Sequence, residues 1–225
     1  MKNKYESKDW MQLPEGVMRP GGLKLTEKLL EQAALAKGQK ILDIGCGMGS
    51  TVNKLIELGY RAMGVDISAK LIKEGQLRYP DTVLLVADAA NLPFDSGCFD
   101  AIICECSLSD MPTSSVLKEC YRLLVPVGKV LISDIYTRKD LQAANIDNLD
   151  AGLMTQCQWL GLLAQSGFSD IRFCDCSEVF KAFVAQAIWD HGSLEKLFDC
   201  EKWHLAAGAK PGYFLLVANK GGTTA

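Results

Sequence analysis

The stretch Lys-Ile-Leu-Asp-Ile-Gly-Cys-Gly-Met-Gly-Ser, residues 40–50, constrains the fold of this chain more than any other. Ile41, Leu42 and Ile44 form a short apolar run that suits a strand buried on both faces. The run breaks into glycines at Gly45, Gly47 and Gly49. Apolar residues then recur at helical spacing, at Val52, Leu55, Ile56 and Leu58. Strand, glycine turn and helix in that order make the ligand-cradling corner of an open α/β sheet. Glycine permits the tight turn and the close approach of a ligand, and the start of the helix offers unpaired N–H groups. A cofactor site is therefore expected here.

The same alternation continues along the chain. A helix over 23–36, striped by Leu23, Leu25, Leu29, Leu30, Ala33 and Ala34, precedes the first strand at 39–44. Further strands read at 61–65, 82–87, 99–104 and 129–133. They end on Asp66, on Asp88, on the polar stretch Glu105 to Asp110, and on Asp134. Between them the pattern predicts helices at 49–58, at 68–78 with Ser68 as N-cap, and from Thr113 or Ser114 onward. A helix 156–166, a strand 169–175, a helix 178–199 and a last strand 212–219 complete the order. Such alternation implies a doubly wound, mostly parallel sheet with right-handed crossovers, whose ligands bind at the carboxyl ends of the strands. Residues 1–21 read as a loose segment folding over the domain, and 137–155 as an insertion beside the strand ends. No repeat or low-complexity tract divides the chain. Residues 1–225 are read as one domain, with 1–37 as its N-terminal lid and helix and 137–155 as its substrate-side insertion.

A net charge of −3 gives no electrostatic reason to expect a nucleic-acid partner. No apolar run approaches the ~20 residues needed to cross a bilayer. Met1 to Ser7 is polar and charged, unlike a signal peptide. The expected location is the cytoplasm, as a monomer or a homodimer. Nine cysteines (46, 98, 104, 106, 120, 157, 174, 176 and 200) are an odd number in a chain without an export signal, which argues against a disulfide framework. No C-x-x-C pair exists, so no metal site is expected from spacing. Two C-x-C pairs remain, Cys104/Cys106 and Cys174/Cys176.

The dinucleotide fingerprint G-x-G-x-x-G would need glycine at Ser50, and the glycine sits at Gly49 instead. None of the six tyrosines is followed four residues later by lysine, and Gly-Lys-Ser/Thr is missing. Asp43, two residues before the first glycine, would repel a pyrophosphate but suits a ligand bearing an ammonium and a sulfonium. Asp66 is placed to accept hydrogen bonds from two ribose hydroxyls, and Asp88 one from an adenine amino group. These acids describe a ligand with ribose, adenine and positive charge but no phosphate. S-adenosylmethionine fits that description.

Ile-Leu-Asp-Ile-Gly-Cys-Gly-Met-Gly (41–49), Gly-Val-Asp-Ile-Ser (64–68), Ala-Asp-Ala-Ala-Asn-Leu-Pro-Phe (87–94) and Cys-Phe-Asp-Ala-Ile-Ile-Cys (98–104) resemble the class I S-adenosylmethionine-dependent methyltransferases. Within that class they look most like the branch that includes the UbiE-type quinone-biosynthesis and the arsenite methyltransferases. The resemblance covers residues 39–136. It implies the Rossmann-like methyltransferase fold, a seven-stranded sheet whose last strand, Gly212–Ala218, runs antiparallel. It also implies roles by position. The backbone around Gly45, Cys46, Gly47 and Gly49 would hold the methionine part of the cofactor, with Asp43 close by. Asp66 would bind the ribose and Ile67 pack on the adenine, with Asp88 and Ala89 at the adenine edge. Cys104 would sit beside the methionyl amine. Pro126-Val127-Gly128 departs from the family's Pro-Gly-Gly before the fifth strand.

The sulfonium methyl is already activated, so the enzyme has mainly to hold a nucleophile in line and exclude water. A small-molecule acceptor is expected, and no catalytic residue can be assigned by pattern; Cys106 and Asp134, at strand ends facing the pocket, are the candidates. His191 and His204 read as ordinary surface or packing residues. Strand alternation would put Cys104 and Cys106 on one side, and soft thiolates bind metalloids. An arsenite methyltransferase is therefore an alternative reading, with Cys106 at one of that family's cysteine positions and the other two unmatched. A second alternative is a protein that binds the cofactor without transferring its methyl group. Cys174 and Cys176 read as small buried hydrophobes.

Overall fold

The apolar stripe at the start forms α1 (Gly22–Ala33), which buries Leu25, Leu29, Leu30 and Ala33 and ends where Ala34 turns left-handed. A computed structural model describes residues 19–138, 153–191 and 210–221. After α1 come β1 (Lys40–Ile44), α2 (Ser50–Glu57), β2 (Arg61–Asp66), α3 (Ala69–Arg78) and β3 (Val83–Val86). Then follow β4 (Phe99–Glu105), α4 (Thr113–Leu123), β5 (Leu124–Thr137), α5 (Gln156–Gln165), β6 (Phe168–Asp175), α6 (Ser177–His191) and β7 (Pro211–Lys220). The expected lid over 1–18, the insertion between 139 and 152, the helix beyond His191, and His204 lie outside the described residues.

One sheet takes all seven strands in the order β3-β2-β1-β4-β5-β7-β6. Its strands pair in parallel except β7, which runs antiparallel to both β5 and β6. The doubly wound, mostly parallel sheet read from the alternation is thus present. Alternate strand residues supply two cores, as the pleat requires. On one face Leu42, Ile44, Ile102, Ile132 and Phe214 meet Val116, Leu117 and Cys120 of α4 and Trp159 and Leu163 of α5. On the other, Ile41, Ile103, Leu131, Tyr213 and Leu215 meet Leu29 and Leu30 of α1, Leu55 of α2 and Phe180 of α6. Among the described residues no helix is long and apolar enough to cross a membrane.

Ser68 caps α3 as expected, its Oγ accepting from Leu71 N at 3.2 Å. Strand β5 differs from expectation by starting at Leu124 rather than 129. Leu124 pairs with Phe99, and the register shifts before Ala101 pairs with Lys129. The intervening Pro126-Val127-Gly128 forms a bulge in which Val127 is 73% exposed with φ 59°. That is the position where the related family carries glycine, and here a β-branched side chain occupies a left-handed conformation.

Candidate functional site

Three left-handed glycines build the corner after β1, with φ of 76° at Gly45, 55° at Gly47 and 81° at Gly49. A Cβ on Gly45 would lie 2.5 Å from Ser107 Cβ, and one on Gly49 2.8 Å from Leu84 Cδ1. Those two glycines serve packing as well as the turn. At Gly47 nothing lies within 4 Å, so that side of the loop is open to a ligand. Val65 O accepts from both Gly45 N (2.8 Å) and Cys46 N (3.0 Å), which ties the loop to β2.

Asp66 continues that tie. Its two oxygens accept from Gly47 N and Ser68 N, each at 2.9 Å, so the carboxylate is fixed in orientation while lone pairs remain for a diol. Ile67 is 71% exposed beside it. Ala87 N donates to Asp66 O at 3.0 Å, which brings the end of β3 alongside. There Asp88 is exposed, with Oδ1 accepting from Ala90 N, and Ala89 is half-buried. Asp66, Ile67, Asp88 and Ala89 thus lie along one edge of the loop.

Behind the loop lies a buried polar layer that the sequence reading missed. Asp43 is 3% exposed. Burial and the nearby Glu105 charge push its carboxyl well above the usual range, with Arg19 acting in the opposite direction. Arg19 Nη2 sits 2.7 Å from Glu105 Oε2 and donates to Thr26 Oγ1 (2.6 Å) and Thr51 Oγ1 (3.0 Å). Thr26 and Thr51 donate in turn to the Glu105 carboxylate at 3.1 Å. Arg19 Nε is buried without a hydrogen-bond partner. Two acid side chains, Asp43 and Glu105, thus share one guanidinium in this layer. The available signal for Glu105 was an acid on the strand face that also carries Ala101 and Ile103; nothing local marked Arg19.

The thiols of Cys104 and Cys106 do not share a side. Cys104 lies in the core beneath α4, hydrogen-bonded to the Cys120 thiol, so its side chain does not face the loop. Cys106 follows the last residue of β4 with φ 52°, which turns it onto the opposite face. There its Sγ lies 3.1 Å from Tyr213 Oη, which donates to Ser133 Oγ at 2.9 Å. Burial and Asp134 push the Cys106 thiol up, which keeps it protonated. Among the described residues no group of three or more His, Cys, Asp or Glu is placed to hold a metal ion, so none of them completes a three-thiolate site with Cys106. Asp134 is fully buried, and its oxygens accept from Ser109 N (3.0 Å) and Ile135 N (2.8 Å). It pins the turn after β4 to β5.

The model of a methyltransferase domain matches residues 42–132. The chain is 30% identical over 158 residues to the uncharacterised methyltransferase YodH of Bacillus subtilis, covering 66% of this chain and 68% of that protein. It is 29% identical over 109 residues to demethylmenaquinone methyltransferase of Beutenbergia cavernae, covering 48% of this chain and 45% of that protein. Among solved structures it is similar to Haemonchus contortus phosphoethanolamine N-methyltransferase 2 in complex with S-adenosyl-L-methionine. The TM-score is 0.73 at 21% identity, over 96% of this chain and 56% of that one, a likeness of fold.

Proposed function

We infer the function from one premise: this chain belongs to the S-adenosylmethionine-dependent methyltransferases. It moves the sulfonium methyl group to a small-molecule acceptor by in-line displacement. The observation that carries this reading is the buried, acid-rich layer of Asp43 and Glu105 behind an open glycine loop. Such a layer disfavours phosphate and favours a ligand carrying a sulfonium and an ammonium.

The residues present fit that cofactor. Asp66 takes the ribose hydroxyls, Ile67 covers the adenine, and Asp88 with Ala89 reads its edge. Asp43 takes the ammonium, while the backbone of Gly45, Cys46, Gly47 and Gly49 lines the methionine part. We add Arg19, whose orphaned Nε is available to the cofactor's carboxylate. Cys104 contributes main chain only. When bound, S-adenosylmethionine supplies an activated methyl group, so the protein's own task is to orient the acceptor and exclude water. We assign Cys106 and Asp134 to support of the pocket wall, because Asp134 is buried, Cys106 is half-buried, and each is hydrogen-bonded within the fold.

The relatives' names bear on the acceptor as a class: a demethylmenaquinone and a phosphoethanolamine are both small molecules. The whole chain is read as one domain, since every described strand joins one sheet. We place it in the cytoplasm, where the eight free thiols among the described residues stay reduced. Release of S-adenosylhomocysteine with a panel of small acceptors tests transfer; tight cofactor binding with no product from any acceptor would leave a binding protein. Asp66→Ala tests the site. Two charge-assisted hydrogen bonds are worth ~1.5–3 kcal/mol each, so calorimetric affinity should fall by about 100-fold or more. Unchanged affinity would sink the assignment.

A further inference from the structure

The second C-x-C pair has no part in the site above. Cys174 opposes Leu215 on β7, and Cys176 N donates to Tyr213 O at 2.7 Å, so the two cysteines sit at alternate positions of one antiparallel ladder. Both therefore face the side of the sheet covered by α1, Cys176 within that core and Cys174 at its margin. The Cys176 thiol interacts with the Cys174 thiol, and Lys28 of α1 is a cation whose field acts on it. Strand β6 is the outer strand of the sheet, and Cys174 is half-buried there, which leaves the pair reachable.

The donor set limits what this pair can hold. Asp175, between the two cysteines, points the other way, and its carboxylate is taken by Ser177 N at 2.8 Å and by Ser177 Oγ. Among the described residues no third His, Cys, Asp or Glu completes a cluster. Four-coordinate zinc would lack protein ligands here. Two sulfurs alone suit a soft d10 ion that accepts two-coordination.

We propose that Cys174 and Cys176 form a two-sulfur binding site for a soft d10 cation of the copper(I) type, with Lys28 offsetting the charge of the bis-thiolate. Two S–H bonds release their protons to solvent, two S–Cu bonds form, and no electron is transferred. The product carries one negative charge, which the field of Lys28 offsets.

The probe is copper(I) itself, titrated anaerobically into the reduced full chain against a chromophoric copper(I) chelator. One equivalent should be withheld from the chelator by the wild type and surrendered by Cys174→Ser and by Cys176→Ser. Lys28→Met should weaken retention several-fold, and Cys157→Ser, at an exposed lone cysteine, should leave it unchanged. X-ray absorption at the copper edge of the wild-type complex should show two sulfur neighbours, a readout that does not depend on the variants folding. An equivalent retained by the Cys174→Ser/Cys176→Ser double variant, or three or more neighbours at the metal, would overturn the site.

Discussion

At the scale of single residues, the chain places ionisable groups where their charge is costly. Asp134 is the clearest case: burial raises its carboxyl to about 6, although backbone N–H groups on both oxygens pull the other way. Because the native pKa lies above the ordinary value of 3.8, the folded state holds the proton more tightly than the unfolded one. The sign then follows from linkage: stability contributed by this group is fully present below pH 4 and is lost as pH rises through 6. The whole change is about 3 kcal/mol. Asp134→Asn removes the titration while adding a roughly constant cost, since its NH2 must face Ser109 N or Ile135 N. Urea unfolding from pH 4 to 7.5 should show the wild type losing about 2.5 kcal/mol relative to the variant. A difference that stays flat across that range would show that the carboxylate is not penalised by burial.

Among the secondary-structure elements, the bulge that opens β5 holds a correctable strain. Val127 has φ 59° and points into solvent, so its side chain contributes little packing to offset the left-handed backbone. An L-residue there costs roughly 1–2 kcal/mol. Val127→Gly should therefore raise the stability measured by chemical denaturation by about 1 kcal/mol, after the extra entropy of glycine in the unfolded chain is discounted. No change in cofactor affinity should accompany it. A loss of stability would mean that the valine makes a contact outweighing its strain. The same element shows what the sequence could and could not reveal. Periodicity located most strand ends within a few residues, because Ile41–Ile44 and Phe99–Cys104 are apolar runs bounded by polar residues. It placed Cys104 and Cys106 on one side because alternation was assumed to continue. A positive φ at a cysteine leaves no mark in composition, whereas the glycines at 45, 47 and 49 announced theirs.

Taken as a whole molecule, the site depends on residues that no local pattern could join. Asp43, Asp66 and Asp88 were legible because each lies within two residues of a strand's carboxyl end, and a parallel sheet brings those ends together. Arg19, Thr26, Thr51 and Glu105 meet only once α1 has crossed the sheet and α2 has started beside it. Their hydrogen bonds link the segment before α1, α1 itself, the first turn of α2 and the end of β4. In a buried layer this link is asymmetric under mutation. Arg19→Met leaves the Glu105 carboxylate buried without its counter-charge, which should cost roughly 3–5 kcal/mol in unfolding free energy. Arg19→Met/Glu105→Gln removes the stranded charge, and the Thr26 and Thr51 hydroxyls can rotate to serve the new amide, so most of that loss should return. Cofactor affinity should follow a different course. It should fall in Arg19→Met and stay low in the double variant, because the carboxylate's partner is gone in both. Recovery of stability without recovery of binding would separate the two roles of the guanidinium. A double variant as unstable as Arg19→Met would show instead that the arginine acts through packing, and binding restored in the double variant would remove Arg19 from the cofactor site.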